Sequence, residues 1–119
     1  MGKSVAYGDI WFVEFEPSIG HEFNGKRPAV VIQSDLQLAK SNLITVAAIT
    51  SRVDKSHEDD IFIAKDAINS LFCDSLIKIH NIESFDYCRF IKKIGRADDA
   101  VMGQIKKYLL RHFGLTRPI

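Results

Sequence analysis

The sequence predicts a small, mainly β protein, in which a strongly bent sheet or partly open barrel of short strands carries one packed helix. Short runs rich in β-branched and aromatic residues recur between residues 10 and 94. Polar loops, several of them containing glycine or proline, separate these runs. Only the last part of the chain has the periodicity of an amphipathic helix. These observations favour several strands followed by a closing helix.

The first predicted strand is Ile10–Phe15, where bulky β-forming residues alternate in part, and Pro17 ends it. A polar, glycine-containing loop over residues 18–27 follows. Pro28 then stands at the first position of the second strand, where its missing N–H is tolerated. The second strand, Ala29–Ile32, is short, continuous and β-branched, which is typical of a strand buried on both faces.

The middle of the chain predicts further strands separated by turns. Asp35 is expected to cap a short helix or turn over residues 36–40, and Asn42–Thr50 is expected to form another buried strand. Residues 51–60 form a polar loop, and residues 65–71 are expected to form a helical turn. The remaining predicted strands are Ile61–Ile63, Ser75–Ile82 and Phe90–Gly95.

The C-terminal segment predicts the helix. Asp98 or Asp99 is a suitable N-cap, and Gly114 supplies the stop. Seven residues fall on one helical stripe that is expected to face the sheet: Val101, Met102, Ile105, Tyr108, Leu109, His112 and Phe113.

Length and composition indicate one globular domain over residues 1–119. Apolar residues make up 46% of the chain and charged residues 26%, which excludes disordered, collagen-like and coiled-coil classes. The net charge of +1 argues against coating of nucleic acid by bulk charge. The charge is uneven, however: residues 89–119 carry a balance of +6 and residues 1–88 a balance of −5. Such asymmetry can mark a nucleic-acid face or a solvated helix surface.

A cytoplasmic location without a membrane segment is expected, because the chain has neither a long apolar run nor the apolar core of a signal peptide. The two cysteines, Cys73 and Cys88, lack the spacing of a metal or redox motif. We therefore expect two buried, reduced thiols.

The densest group of reactive residue types is the loop over residues 20–28. It delivers His21, Lys26 and Arg27 just before a buried strand. An arginine at the rim of a rigid strand can bind phosphate bidentately, and a histidine can exchange a proton near neutral pH. The same composition also fits a mobile hairpin loop whose cations only keep it soluble.

Other candidates stand on later strands. Thr50, Ser51 and Arg52 close the third predicted strand, where they could donate hydrogen bonds to phosphoryl oxygens or simply cap a strand end. Lys78 and His80, two residues apart, would project on one side of a strand, although a lone histidine there is commonly a packing residue. The run His57-Glu58-Asp59-Asp60 looks like a cluster for a hard metal ion, but it does not predict a metal site, because consecutive residues rarely converge on one ion.

Several of these residues recur in the order and spacing of a known family. The motifs are Gly8-Asp9-Ile10-Trp11, Glu16-Pro17, Gly20-His21-Glu22, Gly25, Arg27-Pro28 and Ala48-Ile49-Thr50-Ser51. With looser matches through the second half, the sequence resembles the MazF/PemK/Kid toxins of toxin–antitoxin systems.

The resemblance implies an SH3-like barrel with a C-terminal helix, usually homodimeric. It also implies sequence-selective cleavage of single-stranded RNA (mRNA) without a metal or other cofactor, leaving 2′,3′-cyclic phosphate and 5′-hydroxyl ends. The implied partner is an acidic antitoxin whose flexible tail occupies the RNA site.

Residue by residue, Arg27 and Thr50 match the family's catalytic arginine and threonine, and His21 matches a histidine of the Kid branch. Lys78 and His80 stand where that branch has an arginine and an aspartate as acid and base. A further departure is Glu83, where many relatives carry a basic residue.

Cleavage of RNA through its own 2′-hydroxyl needs a base, an acid and positive charge at phosphorus. We hypothesise His80 or His21 as the base, Arg27 as phosphate clamp and candidate proton donor, and Thr50 as a hydrogen-bond donor to the phosphate. The residues expected to contact RNA are Glu22, Lys26, Ser51, Arg52 and Lys78.

Three alternatives stay open at this point. A CcdB-like toxin of the same fold would poison DNA gyrase by protein contact. A non-catalytic interaction module would explain the changes at His80 and Glu83. A metal-dependent hydrolase would need ligands that the sequence does not reveal.

Overall fold

The computed structural model describes residues 4–15 and 25–116. One six-stranded antiparallel sheet in the order β4-β5-β3-β2-β1-β6 forms a half-barrel, and the C-terminal helix packs against it. The predicted class is confirmed. The strands are β1 (Asp9–Phe15), β2 (Gly25–Val31), β3 (Leu43–Thr50), β4 (Ile61–Ile63), β5 (Ser75–Asp86) and β6 (Phe90–Arg96); the helices are α1 (Asp35–Leu38) and α2 (Asp99–His112), with single 3₁₀ turns at Val53–Lys55 and Tyr87–Arg89.

The sheet buries both of its faces, because alternate residues of each central strand enter different cores. Ile10 and Val30 join the core that packs on α2, whereas Trp11, Val13 and Ala29 join a second core on the other face. The continuous apolar pattern of the second strand therefore does mark burial on both faces, as expected.

Strand β2 begins three residues earlier than the pattern predicts, and Pro28 lies inside it. Pro28 is paired with Phe12 of β1, while the pairing of β2 with β3 begins only at Ala29. Proline is tolerated there because the second ladder has not yet started, so its missing N–H leaves no hydrogen bond to β3 unmade.

The segment before β3 differs from the prediction in its cap. Ser34, not Asp35, is the N-cap of α1, and its hydroxyl accepts a hydrogen bond from the Gln37 N–H. The Asp35 carboxylate instead accepts a hydrogen bond from the Tyr7 N–H at 2.8 Å, tying the N-terminal segment to this helix.

Strand β5 extends four residues beyond its predicted end at Ile82, because residues 82–86 pair with the first half of β3. The register shifts between Ala47 and Ile49, so that residues 78–81 of β5 stand against the single residue Ala48. This irregularity places Lys78 and His80 in a bulged part of the strand. The expected helical turn over residues 65–71 is only a turn at residues 67–69.

Helix α2 begins at its predicted cap. The Asp98 carboxylate accepts a hydrogen bond from the Val101 N–H, and Gly114 adopts a φ of +68° just beyond the helix. The predicted stripe is buried as far as Tyr108, but His112 and Phe113 are exposed. The end of the helix therefore extends past the sheet.

Both cysteines are exposed, which contradicts the expected buried thiols. Cys73 precedes β5 in a loop, and Cys88 lies in a single 3₁₀ turn, so neither is on a strand that enters a core. Across the described ranges, no helix is long and apolar enough to span a membrane.

Candidate active site

Three neighbouring strands bring the predicted Arg27 and Thr50 together. Ala29 of β2 pairs with Ala48 of β3 at the end of their ladder, and Arg27 and Thr50 lie two residues beyond this pair on their own strands. Thr50 pairs with Leu76 of β5. Arg27 and Thr50 line one cavity. Residues 23 apart in the chain thus meet at one end of the half-barrel.

A cavity of about 510 Å³ opens at this end of the sheet. Of the residues predicted to act on RNA, it is lined by Lys26, Arg27, Thr50, Ser51 and Arg52. The Thr50 hydroxyl accepts a hydrogen bond from the Arg52 N–H at 3.1 Å, which folds the chain back immediately after β3. The cavity therefore gathers most of the sequence-predicted residues from β2 and β3.

The lining also includes two lysines that the sequence analysis did not select, Lys92 and Lys93 of β6. Both lysines reach the cavity because β6 pairs with β1, which places Lys92 opposite Phe12. Lys93 also lies 3.4 Å from the buried Asp9 carboxylate. The described lining thus contains five basic side chains and no acidic one, which gives it an excess of positive charge.

Lys78 and His80 do not line this cavity but belong to a second group, centred on Asp60. Phe62 of β4 pairs with Leu76 of β5, so the continued register sets Asp60 opposite Lys78. Lys78 Nζ lies 2.6 Å from Asp60 Oδ2, and His80 Nδ1 lies 3.6 Å from Asp60 Oδ1.

The Asp60 carboxylate is almost completely buried, with 1% of the side chain exposed. Oδ2 also accepts a hydrogen bond from the His57 N–H at 2.7 Å, whereas Oδ1 has no hydrogen-bond partner among the described residues. The His57 ring stacks on the His80 ring with centroids 4.4 Å apart. The result is a compact group in which one buried carboxylate faces an ammonium and an imidazole.

The environment of Asp60 favours its charged form. Burial by itself would raise the pKa of this carboxyl, but the hydrogen bonds from Lys78 and from the His57 N–H lower it. The positive charges of Lys78 and His80 lower it further, and the pKa of Asp60 ends below its ordinary value. Asp60 therefore stays ionised at neutral pH.

His57, Asp60 and His80 each offer one ligand atom, and these atoms lie within 4.8 Å of one another. The turn at residues 57–60 brings His57 back to Asp60, and His80 joins from another strand, so the sequence argument against convergence does not apply to this set. The Lys78 ammonium nevertheless lies against the same carboxylate and repels a cation. We therefore read the group as an ion-pair cluster.

Sequence reasoning missed Asp60 because its partners come from β5, 18 and 20 residues away. The available signal was an aspartate directly before a short strand, which is too common to select. His21 and Glu22 lie outside the described residues. Glu83 is exposed on β5, paired with Val46.

Comparison with known proteins connects the chain to a family. A family model described as a PemK-like, MazF-like toxin of type II toxin-antitoxin systems matches residues 6–113. The endoribonuclease EndoA of Bacillus subtilis (strain 168) is 34% identical over 106 residues, covering 88% of this chain and 90% of that protein. The endoribonuclease MazF9 of Mycobacterium tuberculosis is 30% identical over 113 residues, covering 91% and 95%.

The fold agrees with solved structures. A crystal structure of MazE–MazF from Deinococcus radiodurans matches with a TM-score of 0.77 at 18% identity, covering 96% of this chain and all of that one. The half-barrel, the closing helix and the match over residues 6–113 lead to one conclusion: the chain belongs to the PemK-like, MazF-like family of type II toxin–antitoxin toxins.

Proposed function

We propose that this endoribonuclease toxin cleaves single-stranded RNA through the 2′-hydroxyl of its substrate, with the chemistry carried by the two groups of residues at one end of the half-barrel. The observation that carries the proposal is that β5 contributes both to a cavity whose described lining is basic, through Ser75, and to a buried carboxylate that faces a histidine, through His80. The first can hold a phosphate, and the second can orient a base. We take residues 1–119 as one toxin domain.

The reaction forms a bond between the 2′ oxygen and phosphorus and breaks the bond from phosphorus to the 5′ oxygen. A base removes the proton of the 2′-hydroxyl, and the departing 5′ oxygen gains a proton. The products are a 2′,3′-cyclic phosphate and a 5′-hydroxyl. Atoms balance without a metal or any other co-reactant.

His80 is the base that the geometry favours. Its Nδ1 is 3.6 Å from Asp60 Oδ1, a buried acceptor without a hydrogen bond among the described residues. Catalytic hydrogen bonds are often long before substrate binds, and a small rotation of the ring would close this one. A proton held on Nδ1 by Asp60 leaves Nε2 free to accept the proton of the 2′-hydroxyl.

In this proposal, the cavity residues bind the phosphate group. Arg27 offers a bidentate fork to the non-bridging oxygens, and the Thr50 hydroxyl donates one further hydrogen bond. Lys78, two residues beyond Leu76, lies about 7 Å further along β5 from the position opposite Thr50. Its charge is paired with Asp60, so we propose that it donates a hydrogen bond to RNA without adding net positive charge there. His21 stays the second candidate for proton transfer.

The partners follow from the family and from the charge of the cavity. A toxin of a type II system has a cognate antitoxin. An acidic antitoxin tail would complement the five basic side chains of the cavity and compete with RNA there. We also propose a homodimer, as the resemblance implies, and a cytoplasmic site of action, where mRNA is present.

The test is cleavage of a long unstructured RNA in EDTA by the parent chain, by Arg27→Ala and by Arg111→Ala. Arg111 is an exposed arginine of α2 outside the cavity, so its variant controls for loss of a surface charge. We expect cyclic-phosphate ends from the parent and from Arg111→Ala only. Equal cleavage by all three chains would contradict the proposed role of Arg27.

The same experiment separates the alternatives. Trapped gyrase–DNA complexes without RNA cleavage would indicate the CcdB-like activity, which the family match does not favour. Absence of both activities, with antitoxin binding retained, would indicate the interaction module. Activity that disappears in EDTA would indicate a metal-dependent hydrolase.

A further inference from the structure

One phenylalanine at the rim of the cation-lined cavity is fully turned to solvent. Phe72 is 92% exposed, the highest value among the exposed large apolar residues of the described chain. Its neighbour Leu71 is half-buried against the core below the helix. A phenylalanine left in water forgoes the favourable free energy of burying its apolar surface. The exposure of Phe72 therefore needs a functional explanation.

The loop that carries Phe72, residues 64–74, is rigidly built. The side chain of Asn69, which is 2% exposed, accepts hydrogen bonds from the Asp66 and Leu71 N–H groups. It also donates one to the Ala64 carbonyl. The Asp66 carboxylate in turn accepts from the Ile68 and Asn69 N–H groups. This network fixes the backbone immediately before Phe72.

The loop is also tied to the sheet. The Arg96 N–H donates a hydrogen bond to the Ile68 carbonyl at 3.2 Å. At Gly95 of β6, a Cβ atom would lie 2.2 Å from that same carbonyl oxygen, so the close approach of loop and strand requires glycine. Asp74, at the other end of the loop, accepts a hydrogen bond from the Lys65 N–H. Hydrogen bonds thus hold the loop that carries Phe72, both within the loop and to β6.

The surroundings of Phe72 define what it can bind. The cavity that it lines also contains Arg27, Arg52, Lys92 and Lys93, and none of its described lining residues is acidic. A flat aromatic face beside several cations suits a ligand that combines planar rings with negative charge. Single-stranded nucleic acid has both, since its bases stack on aromatic side chains while its phosphates meet lysine and arginine.

We propose that Phe72 is a stacking platform for one base of the RNA substrate, held next to the phosphate-binding cations of the cavity. This inference rests on the proposed function, because it assigns a base-binding subsite to the same cavity. A stacked base next to the clamped phosphate fixes the path of the strand. It also splays the neighbouring nucleotide towards the cleavage site.

The first test measures binding of a short RNA made uncleavable by 2′-O-methylation. Stacking of a base on an aromatic residue predicts that Phe72→Ala weakens binding roughly 5- to 150-fold. Phe72→Tyr and Phe72→Trp should bind like the parent, whereas Phe72→Leu should resemble Phe72→Ala. Phe113→Ala is the matched control, because Phe113 is also exposed, at 61%, and does not line the cavity.

The second test measures base stacking by fluorescence and does not depend on RNA cleavage. In Phe72→Trp, addition of the same RNA should quench the fluorescence of the new indole, and an RNA abasic at the stacked position should not. The sole natural tryptophan, Trp11, is 7% exposed and provides the background. Phe113→Trp should show no quenching with either RNA.

Two outcomes would overturn the proposal while leaving the proposed function intact. One is tight RNA binding by Phe72→Ala while Arg27→Ala fails to cleave. The other is loss of binding to an acidic peptide, but not to RNA, in Phe72→Ala, which would make Phe72 an antitoxin contact. If the parent chain neither binds nor cleaves RNA, the proposed function itself has failed.

Discussion

The cavity lined by Arg27 and the cluster around Asp60 are neighbours that handle charge in opposite ways. The described lining of the cavity carries five basic side chains and no acidic one, so the lining itself has an excess of positive charge. In the cluster, a carboxylate with 1% exposure neutralises Lys78 within the protein. A region with excess positive charge is suited to binding an anion. A region whose charges are paired within the protein is suited to holding one side chain in a defined state.

This contrast predicts different responses to mutation, salt and pH. Removing a basic side chain from the cavity should weaken the binding of RNA. Removing the carboxylate from the cluster should change how one residue works, without removing positive charge from the RNA path.

The largest effect is expected at Arg27. Loss of one donor that stabilises charge developing in a transition state lowers kcat about 10²- to 10³-fold, so Arg27→Ala should lie in this range. Arg27→Lys should recover little, because lysine lacks the planar fork. Single-turnover cleavage measures the change, with Arg111→Ala as control. A fall in affinity alone, with kcat unchanged, would reduce Arg27 to a binding residue.

A smaller effect is expected at the cluster. We expect His80→Ala to lose about 10²-fold, the lower end of what general bases contribute, and Asp60→Asn to lose less because the imidazole remains. Glu58→Gln, an exposed carboxylate in the same turn, is the control. In the parent, the rate should rise with pH, because a general base acts in its deprotonated form.

Nitrogen NMR of the His80 ring adds a readout that does not depend on activity. The proton should sit on Nδ1 in the parent and move towards Nε2 when Asp60 is replaced by alanine. A flat pH–rate profile would rule out a histidine base, and an unchanged tautomer would rule out Asp60 as its positioning residue.

The salt dependence of RNA binding should separate the two regions. Each phosphate contact on single-stranded nucleic acid contributes about −0.7 to the slope of log K against log salt concentration. Lys92→Ala should reduce the slope by about this amount, whereas Asp60→Asn should leave it nearly unchanged. Lys106→Ala, on the exposed face of α2, is the control. Equal slopes for all variants would place the RNA phosphates elsewhere.

The smallest expected effect concerns stability in acid. The pKa of Asp60 is lower in the folded chain than its ordinary value near 3.9, so its contribution to stability is complete above that pH and is lost below it. Between about pH 5 and 3, the parent should therefore lose more free energy of unfolding than Asp60→Asn. Urea denaturation across this range measures the difference. Parallel curves would show that the carboxylate is not stabilised by folding.

The sequence predicted the strands most reliably where burial was strongest. Ile10–Phe15, Ala29–Ile32 and Asn42–Thr50 each correspond to an observed strand, because β-branched runs have few other stable positions in a small domain. The predictions failed where a contact from elsewhere decided the outcome. Ser34 became the cap of α1 because Asp35 holds the Tyr7 N–H, and β5 lengthened because β3 offered it a partner.

The site divides in the same way. Arg27, Thr50 and Arg52 were selected from residue type and position at strand ends, and the cavity contains all three. Asp60, Lys92, Lys93 and Phe72 were not selected, because a lone aspartate, a lysine pair or a loop phenylalanine is unremarkable without its neighbours.

By itself, the sequence determined the class of fold and the closing helix, which follow from local periodicity and capping between residues close together in the chain. Its motifs, through their resemblance to a family, also pointed to Arg27 near the start of β2 and Thr50 at the end of β3. Only the tertiary structure decided that the charge of Lys78 is compensated by Asp60 and that the cations of β6 join those of β2 and β3. Strand register sets those distances, and it is fixed by the packing of the whole sheet.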